Sequence, residues 1–437
     1  MIRVAVSLLL LTAMPLAAHA LDAGTGVADI TPDVKTFKVP LAGYGARMGR
    51  PAAGVHDPLH AKVLFLRDAR SQVEIGNERE LALITCDLRS ITPELKSQVV
   101  QKTAELGFTL DNVFMCASHT HDGPSMYPEK FWQLQFGAYD PKIVDMMSTN
   151  IAKALQEAVK NAAPAKIGCG EGTIEGFTNN RRWGYDTDAR QTKGETPLLS
   201  ARLWAMRVDG MDGKPRAVLI NFASHPTILD ADNMLISAEW PGVLQEQLEK
   251  AFPGAVAMFT NGGEGDQSPK GATGADAFEK VLDYGSRLAE AAKPILSGIQ
   301  TREGVPIAIR RATPALPDLT FPEAAKKRFG AFLDAAISGL PRKAEIQIMQ
   351  IGDTALVGLP GEPILEVAQT VEKAVIAKGC PRAITIGLAN DYIGYLVNEK
   401  EYPHGGYEVE SRSYYGPTLG TFLAEQAATL AGQSPPK

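Results

Sequence analysis

Val113-Phe114-Met115-Cys116-Ala117-Ser118-His119-Thr120-His121-Asp122-Gly123-Pro124 decides the fold: five apolar residues run straight into a turn crowded with imidazole, hydroxyl and carboxylate groups. A short apolar run that stops at such a turn reads as a buried strand delivering reactive groups at its carboxyl end. The same pattern recurs along the chain. Residues 81–85, 217–223, 255–260, 355–359 and 383–388 are further runs rich in Val, Ile, Leu and Phe. Helical spacing occupies the stretches between: Thr92-Pro93-Glu94 is a start signal with Pro at the first helical position, and 143–159, 241–251 and 366–377 carry apolar residues at helical intervals. This alternation predicts an α/β fold with a mixed, partly parallel central sheet flanked by helices. Five of the six runs lead into polar segments: Ser118 to Pro124, Ser224-His225-Pro226-Thr227, Asn261 to Ser268, Pro360-Gly361-Glu362-Pro363, and Asn390-Asp391-Tyr392 on to Tyr395. Ligands of open α/β sheets bind outside the carboxyl ends of the strands, so one crevice is expected to gather all five.

Outward from these strands, the composition is that of a globular protein: 437 residues, 45% apolar and 22% charged, with 44 Lys and Arg against 50 Asp and Glu. A net charge of −6 without any Lys/Arg block leaves no footprint for a nucleic-acid backbone. Residues 1–20 differ in kind. Arg3, an apolar run from Val4 to Met14 and Ala18-His19-Ala20 have the form of a signal peptide. Export to the periplasm or beyond is expected, with a mature chain from Leu21. No stretch has the ~20 apolar residues of a membrane span. Residues 21–430 parse as one catalytic unit, and 431–437 as a flexible tail. Cys86, Cys116, Cys169 and Cys380 have no CxxC spacing, which argues against a thiolate metal site and leaves disulfide pairing open.

His119, His121 and His225 all fall in the strand-end segments. Imidazoles with a carboxylate suit a catalytic zinc, which keeps a position for water and brings its pKa to about 7. Residues two apart on a strand point the same way, so His119 and His121 are expected to face the crevice together. The plainer alternative for each is a hydrogen-bonded core or loop histidine. His56 and His60, four apart, form a rival metal pair, but Pro58 between them disfavours a helix and a loop is expected. His404 reads as a turn residue. The segment Asn261-Gly262-Gly263-Glu264-Gly265-Asp266-Gln267-Ser268-Pro269 is a glycine-rich turn able to aim backbone N–H groups at an anion, without the Lys-Ser/Thr end of a phosphate loop. Ser268 is outside a Gly-x-Ser-x-Gly elbow and reads either as a nucleophile or as an oxyanion or turn serine.

At this point the residues carry a resemblance. Ser118-His119-Thr120-His121-Asp122-Gly123-Pro124 resembles the Thr-His-Thr-His-Ser-Gly-Pro signature of the neutral, non-lysosomal ceramidases, and Gly265-Asp266-Gln267-Ser268-Pro269 resembles their Gly-Asp-Val-Ser-Pro. Gly26-Val27-Ala28-Asp29-Ile30-Thr31-Pro32, Ala223-Ser224-His225-Pro226-Thr227, Pro360-Gly361-Glu362, and the Tyr395, Tyr407, Tyr415-Gly416-Pro417 series are similar in the same order. The resemblance implies a twisted, zinc-hydrolase-like α/β catalytic domain holding one zinc ion. It implies His119, His225, Glu362 and Tyr395 as zinc ligands, His121, Arg181 and Tyr407 around the substrate amide, and Ser268 as a catalytic serine. Family members cleave N-acylsphingosine to fatty acid and sphingoid base, so the expected partner is a lipid or other N-acyl amide, reached by transient contact with a membrane surface. Two departures lie beside the crevice: Asp122-Gly123-Pro124-Ser125-Met126-Tyr127 replaces the usual Ser-Gly-Pro-Gly-Gly-Tyr, and Lys270 stands where Asn is expected. The chain ends near the last motif, so the immunoglobulin-like C-terminal domain of longer members is expected to be missing. A different amide, a lactone or an ester remains an alternative substrate. A non-catalytic exported lipid- or metal-binding protein is the alternative of another class.

Overall fold

The computed structural model describes residues 21–68 and 80–433; the signal segment 1–20 and tail residues 434–437 lie outside the described residues. Eight strands form one mixed sheet: β1 (Leu21–Asp29), β2 (His60–Asp68), β3 (Glu80–Cys86), β4 (Val113–Ala117), β5 (Ala163–Thr173), β6 (Arg202–Gly210), β7 (Pro215–Phe222) and β8 (Val256–Asn261). Their order is β8-β7-β6-β5-β1-β2-β3-β4. The pairs β3–β4 and β7–β8 are parallel and the others antiparallel. A second sheet, which the sequence did not announce, contains β9 (Ile307–Ala312), β10 (Ile346–Ile351), β11 (Thr354–Gly358) and β12 (Arg382–Ile386), with β11 and β12 parallel. The runs 355–359 and 383–388 belong to it and not to the large sheet.

The two-residue period of a strand sorts side chains between two cores. Leu64, Leu83, Phe114, Met206 and Met258 of the large sheet meet Ile309, Met349, Leu356 and Ile384 of the small one in a dry interface. On the opposite face Val63, Phe65, Ile84 and Met115 pack on Leu95 and Val99 of α1 (Pro93–Lys102) and Ile151 and Leu155 of α2 (Pro141–Lys160). Thr92 caps α1, its Oγ1 accepting from Leu95 N at 3.2 Å, as the Thr-Pro-Glu signal requires. Farther along the same face, α3 (Glu239–Ala251) and α4 (Ala277–Gly298) cover Leu203, Ile220 and Phe259. The outer face of the small sheet is covered by α5 (Leu365–Ile376) and α6 (Leu419–Ala431). The layers are therefore helix, sheet, sheet, helix. Ala431, placed in the tail by the sequence, is still helical.

The large sheet is strongly curled. β2 and β8 are five strand spacings apart in order, about 24 Å in a flat sheet. Yet Lys62 Nζ on β2 donates to Ala257 O on β8 at 2.9 Å. Residues 387–390, leaving β12, bridge the two edges: Gly387 N donates to Asn261 O at 3.0 Å and Asn390 N to Met115 O at 2.8 Å. Leu388 and Asn390 take left-handed conformations to do so. The carboxyl ends of strands from both sheets thereby open on one place.

Candidate active site

His119 and His121 reach this place by a different route from the one expected. β4 ends at Ala117, and His119 stands in a left-handed conformation at φ 79°, so alternation along a strand does not align the two rings. The turn itself does, bringing the Nε2 atoms of His119 and His121 to 3.2 Å. His225 follows β7, where its backbone N donates to Gln267 O at 2.8 Å. Glu362 and Tyr395 sit side by side on a two-strand parallel ladder, Glu362–Pro363 against Tyr395–Leu396. The five side chains converge. Glu362 Oε2 is 3.1 Å from His119 Nε2 and 3.2 Å from His225 Nε2, and Tyr395 Oη is 3.2 Å from His225 Nε2. All five residues are buried.

The hydrogen bonds behind the rings fix their tautomers. His119 Nδ1 lies 2.7 Å from Arg89 O and His225 Nδ1 2.7 Å from Glu264 O. A carbonyl only accepts, so each Nδ1 carries the proton and each Nε2, in the neutral ring, is a bare lone pair. Burial, then Arg181, pushes His225 down to about 3, and burial, His119 and His225 push His121 well below its ordinary value. Burial alone would raise the Glu362 carboxyl, but His119, His225 and Arg89 outweigh it and hold it well below the usual carboxylate range. Lone pairs of both histidines thus face a carboxylate. Such a donor set suits a cation: His119, His121 and His225 present nitrogen atoms within 4.8 Å of one another. The separations of 3.1–3.2 Å approach the roughly 3.3 Å between N or O ligands of a tetrahedral ion at about 2.0–2.1 Å.

Of the remaining expected residues, Arg181 and Tyr407 pack against Tyr395, and Ser268 is linked to the site through the backbone of its turn. Arg181 Nη2 donates to Tyr395 Oη at 2.8 Å, while its Nε pairs with Glu408 at 2.7 Å. Tyr407, 40% exposed, packs its ring edge-on to Tyr395 with centroids 5.9 Å apart. Ser268 is half-buried on a short strand opposite Asn179. Arg181 N bonds Asp266 O at 2.9 Å, so the Asp266-Gln267-Ser268 turn is stitched through its backbone to both Arg181 and His225. The rival pair is not drawn into a metal group: His56 stacks on Phe278 and pairs with Asp57, and His60 starts β2. His404 closes a short turn and meets Asp186 at 3.0 Å. All four cysteines are free.

Several supporting residues were given no role by the sequence reading, although Asn261 and Tyr392 lie in segments it marked. Arg89 Nη2 and Tyr392 Oη both donate to Glu362 Oε1, at 3.2 and 2.6 Å. Asn261 Nδ2 holds the carbonyls of Ser118 and Ser224, one residue before each ligating-type histidine. Glu408 joins Arg181 to Arg182. Arg47 is wholly buried under His121, donating to its carbonyl and pairing with Asp122. Arg89 had a signal: it lies just past 81–85, the one apolar run to which no reactive segment was assigned.

Fold and site define a mixed α/β protein with a buried imidazole and carboxylate centre fit for a metal ion. The chain belongs to the neutral/alkaline non-lysosomal ceramidases, whose N-terminal family model matches residues 21–288. It is 30% identical to neutral ceramidase A of Dictyostelium discoideum over 281 residues, 60% of this chain and 37% of that protein. It is 23% identical to the neutral ceramidase of Mycobacterium tuberculosis, across 89% of this chain and 73% of that one. The chain thus spans well under half of the Dictyostelium relative. The crystal structure of neutral ceramidase from Pseudomonas aeruginosa shares the fold at TM-score 0.81 and 21% identity, covering 95% of this chain and 74% of that one. A ceramidase complexed with C2 does so at 0.80 and 20%, covering 95% and 75%.

Proposed function

We propose that the protein is a zinc-dependent amidohydrolase that cleaves an N-acyl amide, with N-acylsphingosine as the substrate its relatives' names point to. The observation that carries this reading is the convergence of His119 Nε2, His225 Nε2, Glu362 Oε2 and Tyr395 Oη in a buried centre. These four are the proposed ligands. His121 is set apart because no carbonyl orients it: its Nδ1 is buried without a partner.

Bound here, zinc would supply polarisation of the amide carbonyl and a water acidic enough to act near neutrality. The chain's own groups do the rest. Arg181, fixed by Glu408, aims its guanidinium at the side of the centre where negative charge develops on the carbonyl oxygen. His121, kept neutral by burial, takes a proton from the attacking water and returns it to the leaving nitrogen. The C–N bond breaks, a C–O bond forms, and the water's hydrogens end on the amine and the acid. Ser268 Oγ orients the substrate and water is the nucleophile. Arg89 and Tyr392 hold Glu362 so that one oxygen is presented.

The test is release of fatty acid from a medium-chain N-acylsphingosine by zinc-loaded protein, followed by mass spectrometry. Chelator-sensitive release is expected. None from protein shown to hold zinc would exclude this substrate and direct the search to other amides, lactones and esters. Ser268→Ala retains zinc-dependent turnover if water attacks; an acyl group trapped on Ser268 in the wild type would overturn that mechanism.

A further inference from the structure

Arg412 carries a charge that the fold does not answer. It ends the helix Tyr407–Arg412 and is 4% exposed. Its Nη1 is buried without a hydrogen-bond partner, and among the described residues no carboxylate pairs with it. Its Nε reaches Tyr407 Oη only at 3.5 Å. The neighbouring buried guanidiniums are all paired: Arg89 with Glu362, Arg181 and Arg182 with Glu408, Arg190 with Glu401. Guanidinium stays charged in proteins, and an unpaired buried charge is expensive.

Its position gives that charge a purpose. The guanidinium carbons of Arg412 and Arg89 lie 5.1 and 4.5 Å from the centre of the Phe136 ring, and Arg89 Nε is also without a partner. Gly394, at φ 98°, is held so close that a Cβ there would overlap the carbonyl oxygen of Arg412. The side chain is placed by Tyr407: Arg412 Nε is 3.5 Å from its Oη, and the Tyr407 ring lies edge-on to that of Tyr395, the phenol that faces the histidines, at 5.9 Å. The donors are in excess and the acceptors are missing. A planar guanidinium fork matches a carboxylate or similar compact anion.

We propose that Arg412, with Arg89 beside it, receives an anionic group on the amine portion of the substrate, so that the preferred amide is of the N-acyl amino acid class. Only the amine portion can place such a group near the scissile bond, because the acyl side of a fatty amide is hydrocarbon. Hydrolysis is the step already described: water gives its hydroxyl to the acyl carbon and its proton to the leaving nitrogen. The inference rests on the amidase reading and is independent of N-acylsphingosine as substrate.

N-dodecanoylglycine and N-dodecanoylethanolamine share an acyl chain and differ at carboxylate against hydroxyl. Zinc-loaded wild type should show the higher kcat/KM on the glycine amide. In Arg412→Met the glycine-to-ethanolamine ratio should fall by roughly 30-fold or more, the loss expected when one partner of a buried charged contact is removed. That ratio is taken within one protein sample, so a reduced folded fraction cannot move it; Arg412→Lys should restore part of it. A ratio unchanged within about twofold, or a preference for the ethanolamide in the wild type, overturns the proposal. So does a variant that weakens binding of the product dodecanoate without moving the ratio, since Arg412 would then read the acid product. If neither amide is cleaved, the amidase reading fails and calorimetry on the same zinc-loaded protein decides the anion site: intact N-dodecanoylglycine binding that weakens in Arg412→Met upholds it, and equal binding to both overturns it.

Discussion

Glu362 keeps its two oxygens in different company: Oε2 faces the lone pairs of His119 and His225, while Oε1 accepts from Arg89 and Tyr392. Outer contacts of this kind orient a ligand, and their loss typically costs 10–100-fold in metal affinity. Tyr392→Phe removes one donor to Glu362 together with the hydroxyl that accepts from Arg89 Nη2 at 2.6 Å, so zinc should bind roughly 10–100-fold more weakly, by competition with a chromophoric chelator. Unchanged affinity would show that Arg89 alone suffices. His225 makes a separate prediction about acid. Its ordinary value is 6.5 and the folded site pushes it down to about 3. Between those limits the unfolded chain takes up a proton that the folded chain refuses, so stability falls as pH drops from about 6.5 towards 3. The melting temperature of the chelator-treated protein should decline across that window, and less steeply in His225→Asn. Parallel curves for the two proteins would mean that His225 is not held neutral.

At the scale of elements, the loop before the first turn of the site works as a wall for His121. Gly43 has φ 106°, and a Cβ there would lie 2.5 Å from His121 Cγ. Tyr44, the next residue, sets its ring edge-on to His121 at 4.6 Å. Gly43→Ala should therefore displace His121 and cost about 1–3 kcal/mol of stability, from the backbone strain alone. Urea unfolding reads the stability; a kcat lowered without loss of bound zinc reads the displacement, because His119 and His225 are held by other carbonyls. Elements of this kind explain what could be read beforehand. Apolar strands and Pro-initiated helices announce themselves, and the polar turns after them marked His119, His121 and His225. Glu362 and Tyr395 lay in marked strand-end segments but took their role as ligands only from the resemblance, and Arg181 and Tyr407 came from the resemblance alone, since a tyrosine or arginine in a loop has no periodicity to betray it. α4 was missed although Asp276 caps it and it runs 22 residues, because Pro294 inside it reads as a breaker. β5 was missed because Gly168, Gly170 and Gly172 look like a loop; they are strand residues pressed against Ile295, Ile299 and Gln300.

Across the whole molecule, the site is divided between two sheets. His119 and His225 follow β4 and β7 of the large sheet, whereas Glu362 and Tyr395 follow β11 and β12 of the small one. Nothing in the sequence separates these strands, since both sheets present the same buried apolar runs. The relative placing of the two halves depends on the dry layer between the sheets, where Leu356 is fully buried among Phe114, Met349 and Ile384. Leu356→Ala should cost about 2–5 kcal/mol, the usual range for a cavity in a packed core, measured by urea unfolding. Its second effect discriminates more sharply. The variant leaves every proposed ligand in place, yet it loosens the contact that sets Glu362 and Tyr395 against His119 and His225. Zinc affinity should fall with it, whereas an equal cavity under α3, made by Leu248→Ala, should lower stability without weakening the metal, because α3 packs on the large sheet and on α4 in a core that no small-sheet residue joins. Equal zinc affinity in both variants would show that the ladder between Glu362 and Tyr395 and the 387–390 bridge hold the halves together without help from the core.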